Sequence, residues 1–182
     1  MEELSDNIVV QSRDIKLVPI EQIIPNKIIE LSLSQGFIAT IDELDYIKFN
    51  ICDYKWFSQR YNGFNYPQAW CKKTKKRVKL HRLITPDFQC VDHISGNTLD
   101  NTRKNLRGCT LRENARNAKK AKHGTSSKYK GVSKQSENSY RARIRVDGVL
   151  IGLGSGSEIH CAHLYNNAAI KYFKEFARIN NV

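Results

Sequence analysis

The sequence has no hydrophobic run long enough to cross a lipid bilayer. Apolar stretches such as residues 8–10 and 28–29 span only two or three residues, whereas a transmembrane helix needs about 20. The first residues, MEELSDNIVVQSRD, are acidic and lack the positive region and apolar core of a secretory signal peptide. These absences predict a soluble intracellular protein that does not span a membrane.

Cysteine does not occur in any spacing that favours a metal site or a disulfide framework. The five cysteines include no Cys-x-x-Cys motif, and their number is odd in a chain without a recognisable secretory signal. A structural zinc site needs closely paired ligands, which are missing here. We therefore predict free thiols that behave as small apolar side chains.

Acidic residues are scarce in the second part of the chain. Residues 1–71 carry six Lys/Arg and ten Asp/Glu, whereas residues 72–182 carry 24 and 8, so their net charges are −4 and +16. Positive charges at this density repel one another unless a polyanion is present, which favours nucleic acid as the partner. An anionic membrane surface is the second alternative, but no long basic amphipathic helix with aromatic anchors supports it.

The chain of 182 residues is long enough for one ordinary domain or two small ones. Residues 1–71 read as a β-rich N-terminal segment with a hairpin turn at Asn62-Gly63. Residues 72–122 form a basic central segment, and the small residues of 123–127 form a flexible linker. Residues 128–182 form a separate C-terminal unit.

The central segment reads as strand, loop, strand and helix. Residues 88–91 predict a strand that ends in Asp92-His93, and residues 106–109 predict a second strand after a polar loop. Thr110 is followed three residues later by Glu113, a capping box that predicts a helix from residue 111.

Three polar residues of this unit suggest a chemical role. Asp92 and Asn114, which lies in the first turn of the helix, could converge on one hard cation such as Mg²⁺, which prefers oxygen ligands. His93 would point to the opposite face of the strand and could act as a base on a separate water. Hydrolysis of a phosphodiester needs both a base and a cation. The alternative is a turn or surface hydrogen bond at Asp92-His93, with the other residues as scaffolding.

The motifs HRLI, VDHI, GN, NLR and EN resemble those of the HNH endonucleases of mobile introns and phages. They span about 35 residues in the order found in that family. The residues that carry them are Leu80, His81, Arg82, Leu83, Ile84, Val91, Asp92, His93, Ile94, Gly96, Asn97, Asn105, Leu106, Arg107, Glu113 and Asn114. The upstream sequence GFIATIDELDYIKFNICDYKW also resembles the lead-in of that family, so the likeness covers most of residues 35–120.

The resemblance implies a ββα-metal nuclease within an α+β fold. Asp92 and Asn114 would bind Mg²⁺ or another divalent cation such as Mn²⁺, and His93 would be the general base. Asn105 would brace the loop between the strands. His81 is expected to pack or to brace the backbone rather than to catalyse.

One departure from the HNH pattern follows the NLR motif. The family usually has an aromatic and then an aliphatic residue there, where this chain has Gly108-Cys109. This predicts looser packing near the second strand without loss of a catalytic group.

The C-terminal unit begins with a strongly alternating strand. Side chains of a strand alternate between its two faces, so the apolar residues within 140–146 lie on one face. Three arginines, Arg141, Arg143 and Arg145, lie on the other. A turn at Asp147-Gly148 predicts a hairpin. Ser155 and Glu158 form a capping-box pattern that predicts a helix with apolar positions at helical spacing. These positions are Ala162, Tyr165, Ala169, Tyr172 and Phe176. We expect a three-stranded antiparallel sheet packed on one helix.

This unit resembles the plant Apetala-two (ethylene-response-factor) DNA-binding domain, which recurs fused to HNH nucleases. The residues that carry the likeness are Tyr129, Lys130, Gly131, Val132, Ala142, Arg143, Ile144, Arg145, Leu153, Gly154, Ala162, Tyr165, Ala168 and Ala169. The resemblance implies DNA contacts by Lys130, Arg143 and Arg145, with Lys134 and Arg141 as weaker candidates. The tryptophans of the plant sheet are absent, so its base specificity does not transfer. A solvated arginine face that prevents edge aggregation is the alternative.

The sequence thus predicts a metal-dependent, site-specific DNA endonuclease of the homing type, encoded by a mobile element. Its partner would be double-stranded DNA, with no small-molecule cofactor, and the protein would act as a monomer. A basic helix over residues 112–122 would follow the DNA backbone through Arg116, Lys119 and Lys120, unless these residues form a merely solvated face.

Two other functions remain open at this point. The first is a non-catalytic, sequence-specific DNA-binding protein, and the second, less favoured, is an RNA-binding protein, since no aromatic platform for splayed bases is evident. High Asn, Lys and Ile content suggests an AT-rich genome, such as that of a virus or phage in an infected host cell.

Overall fold

A computed structural model describes residues 27–120 and 124–182 of the chain. Predictions that concern residues 1–26 and 121–123 lie outside these described residues. The fold is mixed α and β, built from four small antiparallel sheets and short helices, as the α+β prediction requires. None of the helices in the two described ranges is long and apolar enough to span a membrane.

The N-terminal described part is a hairpin followed by a short helix. Strand β1 (Ile28–Ser32) pairs antiparallel with β2 (Ile38–Asp42), with a 3₁₀ turn at Ser34–Gly36 between them. Helix α1 (Glu43–Lys48) and a 3₁₀ turn at Ile51–Asp53 follow. Alternate residues of β2 face a hydrophobic core. That core contains Leu33, Ala39, Ile41, Ile51, Leu80, Ile84, Val91 and Leu106.

The second sheet has three strands in sequence order. Strands β3 (Trp56–Tyr61), β4 (Phe64–Cys71) and β5 (Lys76–Lys79) pair antiparallel. The predicted hairpin turn at Asn62-Gly63 is confirmed, and both residues have positive φ, at 49° and 81°, as a two-residue type I′ turn requires. Helix α2 (Leu80–Ile84) carries the HRLI residues.

The central segment has the predicted order of strand, strand and helix. Strand β6 (Cys90–His93) pairs antiparallel with β7 (Leu106–Cys109), and helix α3 (Leu111–Asn117) follows. The capping box is confirmed. The Thr110 side chain accepts a hydrogen bond from the Glu113 backbone amide, and the Glu113 carboxylate accepts one from the Thr110 backbone amide. Strand β6 begins two residues later than predicted and ends in Asp92-His93, as the prediction has it.

Gly108 does not loosen the packing near β7, contrary to the prediction from the family pattern. A Cβ atom built there would lie 2.7 Å from Cδ1 of Phe88, closer than carbon atoms approach in proteins. The ring of Phe88 thus occupies the space that a larger residue would fill, and the glycine permits this close contact.

The C-terminal unit has the predicted three strands and one helix. Strands β8 (Val132–Ser136), β9 (Ser139–Val146) and β10 (Val149–Gly156) form a sheet with β9 in the centre. Helix α4 (Glu158–Phe173) packs mainly on β9 and β10 and is followed by a 3₁₀ turn at Lys174–Phe176. The alternation is confirmed: Ala142 and Ile144 are buried, whereas Arg141, Arg143 and Arg145 are exposed.

The boundaries of α4 differ from the prediction at both ends. Ser157, not Ser155, is the N-cap, and its hydroxyl accepts from the His160 backbone amide, since Ser155 still belongs to β10. Phe173 is the last buried residue of the helix, whereas Tyr172 is 37% exposed. Phe176 is buried in the following 3₁₀ turn rather than on the helix.

The junction between the central and C-terminal parts also differs from the prediction. Helix α3 ends at Asn117, so no helix reaches Lys120. The second half of the predicted linker belongs to the C-terminal unit: the Ser127 hydroxyl donates to the Glu158 carboxylate over 2.7 Å, and the Ser126 hydroxyl accepts from the Lys134 amide.

Candidate active site

Asp92 lies buried on one face of β6, held by two neighbours. Arg107 is its cross-strand partner on β7 and donates to Oδ2 through Nε (3.0 Å) and Nη2 (2.7 Å). Asn117, in the last turn of α3, donates its amide to both carboxylate oxygens, over 3.0 and 2.9 Å. Oδ2 therefore accepts from two side chains, while Oδ1 accepts only from Asn117 within the described residues and keeps acceptor capacity.

His93 points to the other face, as the strand alternation predicts. Its Nε2 lies 3.4 Å from Oδ1 of the fully buried Asn101. The Asn101 amide nitrogen donates to the carbonyls of Leu99 and Thr98, so Oδ1 is the atom that faces the imidazole. Nε2 must then carry the proton, and Nδ1 is left as the basic nitrogen of the neutral ring. Burial lowers the pKa of His93, while the bond to Asn101 and the charge of Asp92 oppose that shift.

His81 packs beside His93 rather than at a distance from it. The ring centroids are 5.1 Å apart in an edge arrangement, and Tyr66 contacts both rings, at 5.8 and 6.3 Å. Burial lowers the pKa of His81 to about 3, so this imidazole is neutral at pH 7. Its Nδ1 is buried without a hydrogen-bond partner in the described part of the chain. This placement agrees with the packing role predicted for His81.

A cavity of about 470 Å³ brings these residues together. Asp92, His93 and Asn114 all line it, together with His81 and Asn117. Asn114 and Asn117 are three residues apart on α3, so they lie on the same helix face toward β6. The three residues that the sequence proposed for catalysis and metal binding therefore share one concave surface.

Asn105 holds the loop between β6 and β7. Its Oδ1 accepts from the Ser95 backbone amide over 2.9 Å, and its amide donates to the Asp100 carbonyl over 2.7 Å. Its side chain is buried, contacts the first half of the loop and does not line the cavity. Its contacts are those of a brace, which is the role that the family resemblance implied.

The donor set suits a hard cation. Asp92 and Asn114 offer carboxylate and amide oxygens, which Mg²⁺ and Mn²⁺ accept in proteins together with waters. Residues 27–120 and 124–182 contain no cluster of three or more His, Cys, Asp or Glu that could hold a metal ion. A cation at this cavity would therefore depend on the amide oxygen and on water or phosphate oxygens.

The arginine face of β9 lies on the solvent side of the C-terminal sheet. Arg141 contacts Gln135, Arg143 contacts Ser133, and Arg145 donates to the Gly148 carbonyl, and each side chain stays exposed. Lys134 on β8 is exposed beside them. Lys119 is also exposed, and its ammonium lies 5.7 Å from the ring centroid of Phe64, at the active-site cavity.

Three residues predicted to bind DNA form contacts within the protein, at the junction of the central and C-terminal parts. The Lys130 ammonium donates to the carbonyls of Arg116 and Ala118 at the end of α3, and burial lowers its pKa to about 8. Lys120 donates to the Tyr129 and Val132 carbonyls. The contacts of Lys130 are of a common kind, in which a lysine donates to the last carbonyls of a helix.

Arg116 is the third of these junction residues. It pairs with Asp147 over 3.1 Å and lies over the ring of Phe173 at 4.9 Å. Lys120, Lys130 and Arg116 therefore contribute to the junction between the two parts of the protein, and their assignment as DNA contacts stays a prediction.

Sequence reasoning missed three residues of the site. Asn101 faces the His93 imidazole, and Asn117 donates to the Asp92 carboxylate. Arg107 pairs with Asp92 while its Nη1 donates to the Glu175 carbonyl. The spacing of Asn114 and Asn117 on one helix face and the in-register position of Arg107 opposite Asp92 were the available signals. Nothing in the spacing of Asn101 distinguished it from other loop asparagines.

One curated protein is similar over much of this chain. It is named an uncharacterized HNH endonuclease, from Acanthamoeba polyphaga mimivirus, and is 33% identical over 141 residues, which cover 72% of this chain and 70% of that protein. No protein-family model matches the chain, and no solved structure matches it.

Proposed function

Since the chain belongs to the HNH endonuclease family, we propose that it is a metal-dependent ββα-metal nuclease that hydrolyses phosphodiester bonds in double-stranded DNA. The convergence of Asp92, His93 and Asn114 on one cavity carries this proposal. A base and an oxygen-rich cation site within one cleft are the two parts that the hydrolysis requires. Asp92 and Asn114 would hold the cation, which supplies charge stabilisation at the scissile phosphate and the leaving oxygen.

Asp92 would use Oδ1 for this task, because Arg107 and Asn117 already hold Oδ2. These contacts fix the carboxylate plane before substrate arrives, so little reorganisation is needed when the cation binds. Arg107 also places a positive charge beside the buried carboxylate, with its Nη2 2.7 Å from Oδ2.

His93 would take the proton of the attacking water at Nδ1. Asn101 accepts from Nε2–H and so fixes the tautomer and the direction of the ring. The lowered pKa keeps the imidazole unprotonated at neutral pH, the form that a general base needs. His81 and Tyr66 pack against the ring and limit its rotation.

The C-terminal unit would select the DNA site as an Apetala-two-like module. Its support is the exposed row Arg141, Arg143 and Arg145, because arginine forms bidentate bonds with guanine edges in a major groove. Lys134 and Lys119 would add phosphate contacts. A nuclease that carries such a module and acts as a monomer would cut particular sites, as a homing endonuclease of a mobile element does.

The test is cleavage of supercoiled plasmid by the purified protein with Mg²⁺, with Mn²⁺ and with a chelator. We expect nicked or linear product only with a divalent ion, and at least tenfold less product from Asp92→Asn or Asn114→Ala at matched DNA occupancy. Arg112→Gln, on an exposed part of α3 outside the cavity, is the matched control and should cut at the wild-type rate. If wild type is inert with every divalent ion yet still shifts DNA, the protein is a non-catalytic DNA-binding protein and the proposal fails.

A further inference from the structure

A long acid-free segment precedes the active-site strand. Residues 54–86 contain nine Lys/Arg and no Asp or Glu. Six of the nine lie on the β4–β5 hairpin: Lys72, Lys73, Lys75, Lys76, Arg77 and Lys79. The first five are exposed, and none of the six forms a salt bridge with the described residues. This basic hairpin is a concentration of positive charge to which the proposed catalytic and metal-binding residues and the arginine face of β9 do not belong.

One face of the same sheet carries exposed aromatic rings. Cross-strand pairing places Trp70 opposite Arg77 on neighbouring strands, so both point to the same side. Tyr66 also lies on this side, because it is four residues before Trp70 on β4. Trp70 is 53% exposed and Tyr61, at the end of β3, is 59% exposed. Large aromatic rings rarely stay in water without a partner when several share one face.

This aromatic face runs into the active-site cavity. Tyr61, Tyr66 and Lys79 line the cavity that also contains Asp92 and His93. The Lys79 ammonium lies 4.9 Å from the ring centroid of Tyr66 and 5.5 Å from that of Tyr61. A polyanion on this face would therefore lead directly to the catalytic residues.

Resting on the proposed function, we infer that the β3–β5 sheet is a second DNA-binding surface, which holds the sugar–phosphate backbone next to the scissile bond. Five of its six hairpin cations are lysines, whose compact ammonium groups attract phosphate as point charges. Arginines, which suit bidentate reading of base edges, are concentrated on β9 instead. The hairpin therefore binds duplex DNA without regard to sequence, while Tyr61 and Trp70 pack against the deoxyribose of the bound strand.

The experiment measures binding of the full chain to a random duplex with Ca²⁺ in place of Mg²⁺, in a His93→Ala background that cannot cut. The test variant is Lys72→Gln, Lys73→Gln and Lys76→Gln. Lys75 is left unchanged because its φ of 53° lies in the left-handed region. The matched control is Lys48→Gln, Lys104→Gln and Lys171→Gln, three exposed lysines on other surfaces.

We expect the plot of log affinity against log salt to become shallower in the test variant, with a slope smaller in magnitude by about 2 to 3. Each phosphate contact contributes ~0.9 to that slope. The same loss weakens binding by about 100- to 500-fold at 0.1 M salt. The control should keep the wild-type slope. Trp70 fluorescence should change on binding, and Trp70→Phe should remove that change.

Equal slopes for the test and control variants would overturn the inference. Failure of the proposed nuclease function has a different signature. In that case wild type cuts nothing with Mg²⁺, whereas the test variant still loses the salt slope. A test variant with altered circular dichroism is replaced by Lys72→Gln and Arg77→Gln, and the same criteria apply with a slope change of about 2.

Discussion

The contact between Arg107 and Asp92 gives a quantitative prediction about the active site. Both side chains are largely buried, at 15% and 6% exposed, and two hydrogen bonds join them. Removing one partner of a buried ion pair leaves the other charge uncompensated, which costs about 3–5 kcal/mol. Arg107→Met should therefore destabilise the protein by roughly this amount.

Methionine is chosen because it keeps an apolar stem against Phe176, whose ring lies 3.9 Å from the guanidinium carbon. The change also removes the bond from Nη1 to the Glu175 carbonyl. That second loss is the same whether residue 92 is Asp or Asn, so it cancels in a double-mutant cycle. The remaining coupling between Arg107→Met and Asp92→Asn should be about 2 kcal/mol or more.

The assay is urea unfolding at pH 7 of wild type, both single variants and the double variant. Arg112→Met is the control, because its ion pair with Asp147 is exposed and should contribute nothing measurable. Additive effects of Arg107→Met and Asp92→Asn, within about 0.5 kcal/mol, would refute the reasoning. They would mean that Asp92 is not held by Arg107 in solution.

Three further predictions concern other parts of the structure. The pKa of His81 falls from 6.5 unfolded to about 3 folded, so the native state binds fewer protons between these pH values. Stability should drop by about 1.4 kcal/mol per pH unit on acidification through that range, and His81→Gln should flatten the dependence measured by urea unfolding. Gly131→Ala should destabilise by more than about 2 kcal/mol, since φ is +75° and a Cβ would lie 1.9 Å from the Tyr165 ring. Gly63→Ala, with positive φ but open space, should cost about 1 kcal/mol in thermal unfolding, and equal losses would contradict the packing argument. Asn101→Ala should lower the cleavage rate at least tenfold with unchanged DNA affinity, and a wild-type rate would show that the base needs no such orientation.

Local patterns predicted much of the secondary structure. Strict alternation over residues 140–146 and the Asp147-Gly148 turn identified the β9–β10 hairpin, because both signals depend only on neighbouring residues. The capping box at Thr110 located the start of α3 to the residue. The N-cap of α4 was placed two residues early, since β10 continues through a register shift between Gly152 and Gly154 that no local pattern reveals.

Contacts between distant segments were beyond the reach of the sequence. Lys130 resembled a DNA-binding residue by its neighbours in the chain, but the end of α3 supplies carbonyls that bind its ammonium. Arg107 likewise joins Asp92 to the turn at residues 174–176, which lies almost 70 positions away. Such roles follow from how the C-terminal unit packs on the central segment, and the composition of neither part contains that information.

The most direct test of the central claim is the single-turnover rate at which the bound protein cuts a duplex, compared between wild type and His93→Ala. The wild-type rate should rise with pH and reach its plateau before pH 6.5, because burial lowers the pKa of His93 below that value. Loss of the base should reduce the rate by about 10²-fold or more while the affinity for DNA stays the same. A rate for His93→Ala within tenfold of wild type, at full occupancy and with Mg²⁺ present, would show that this imidazole is not the base and that the account of the site is wrong.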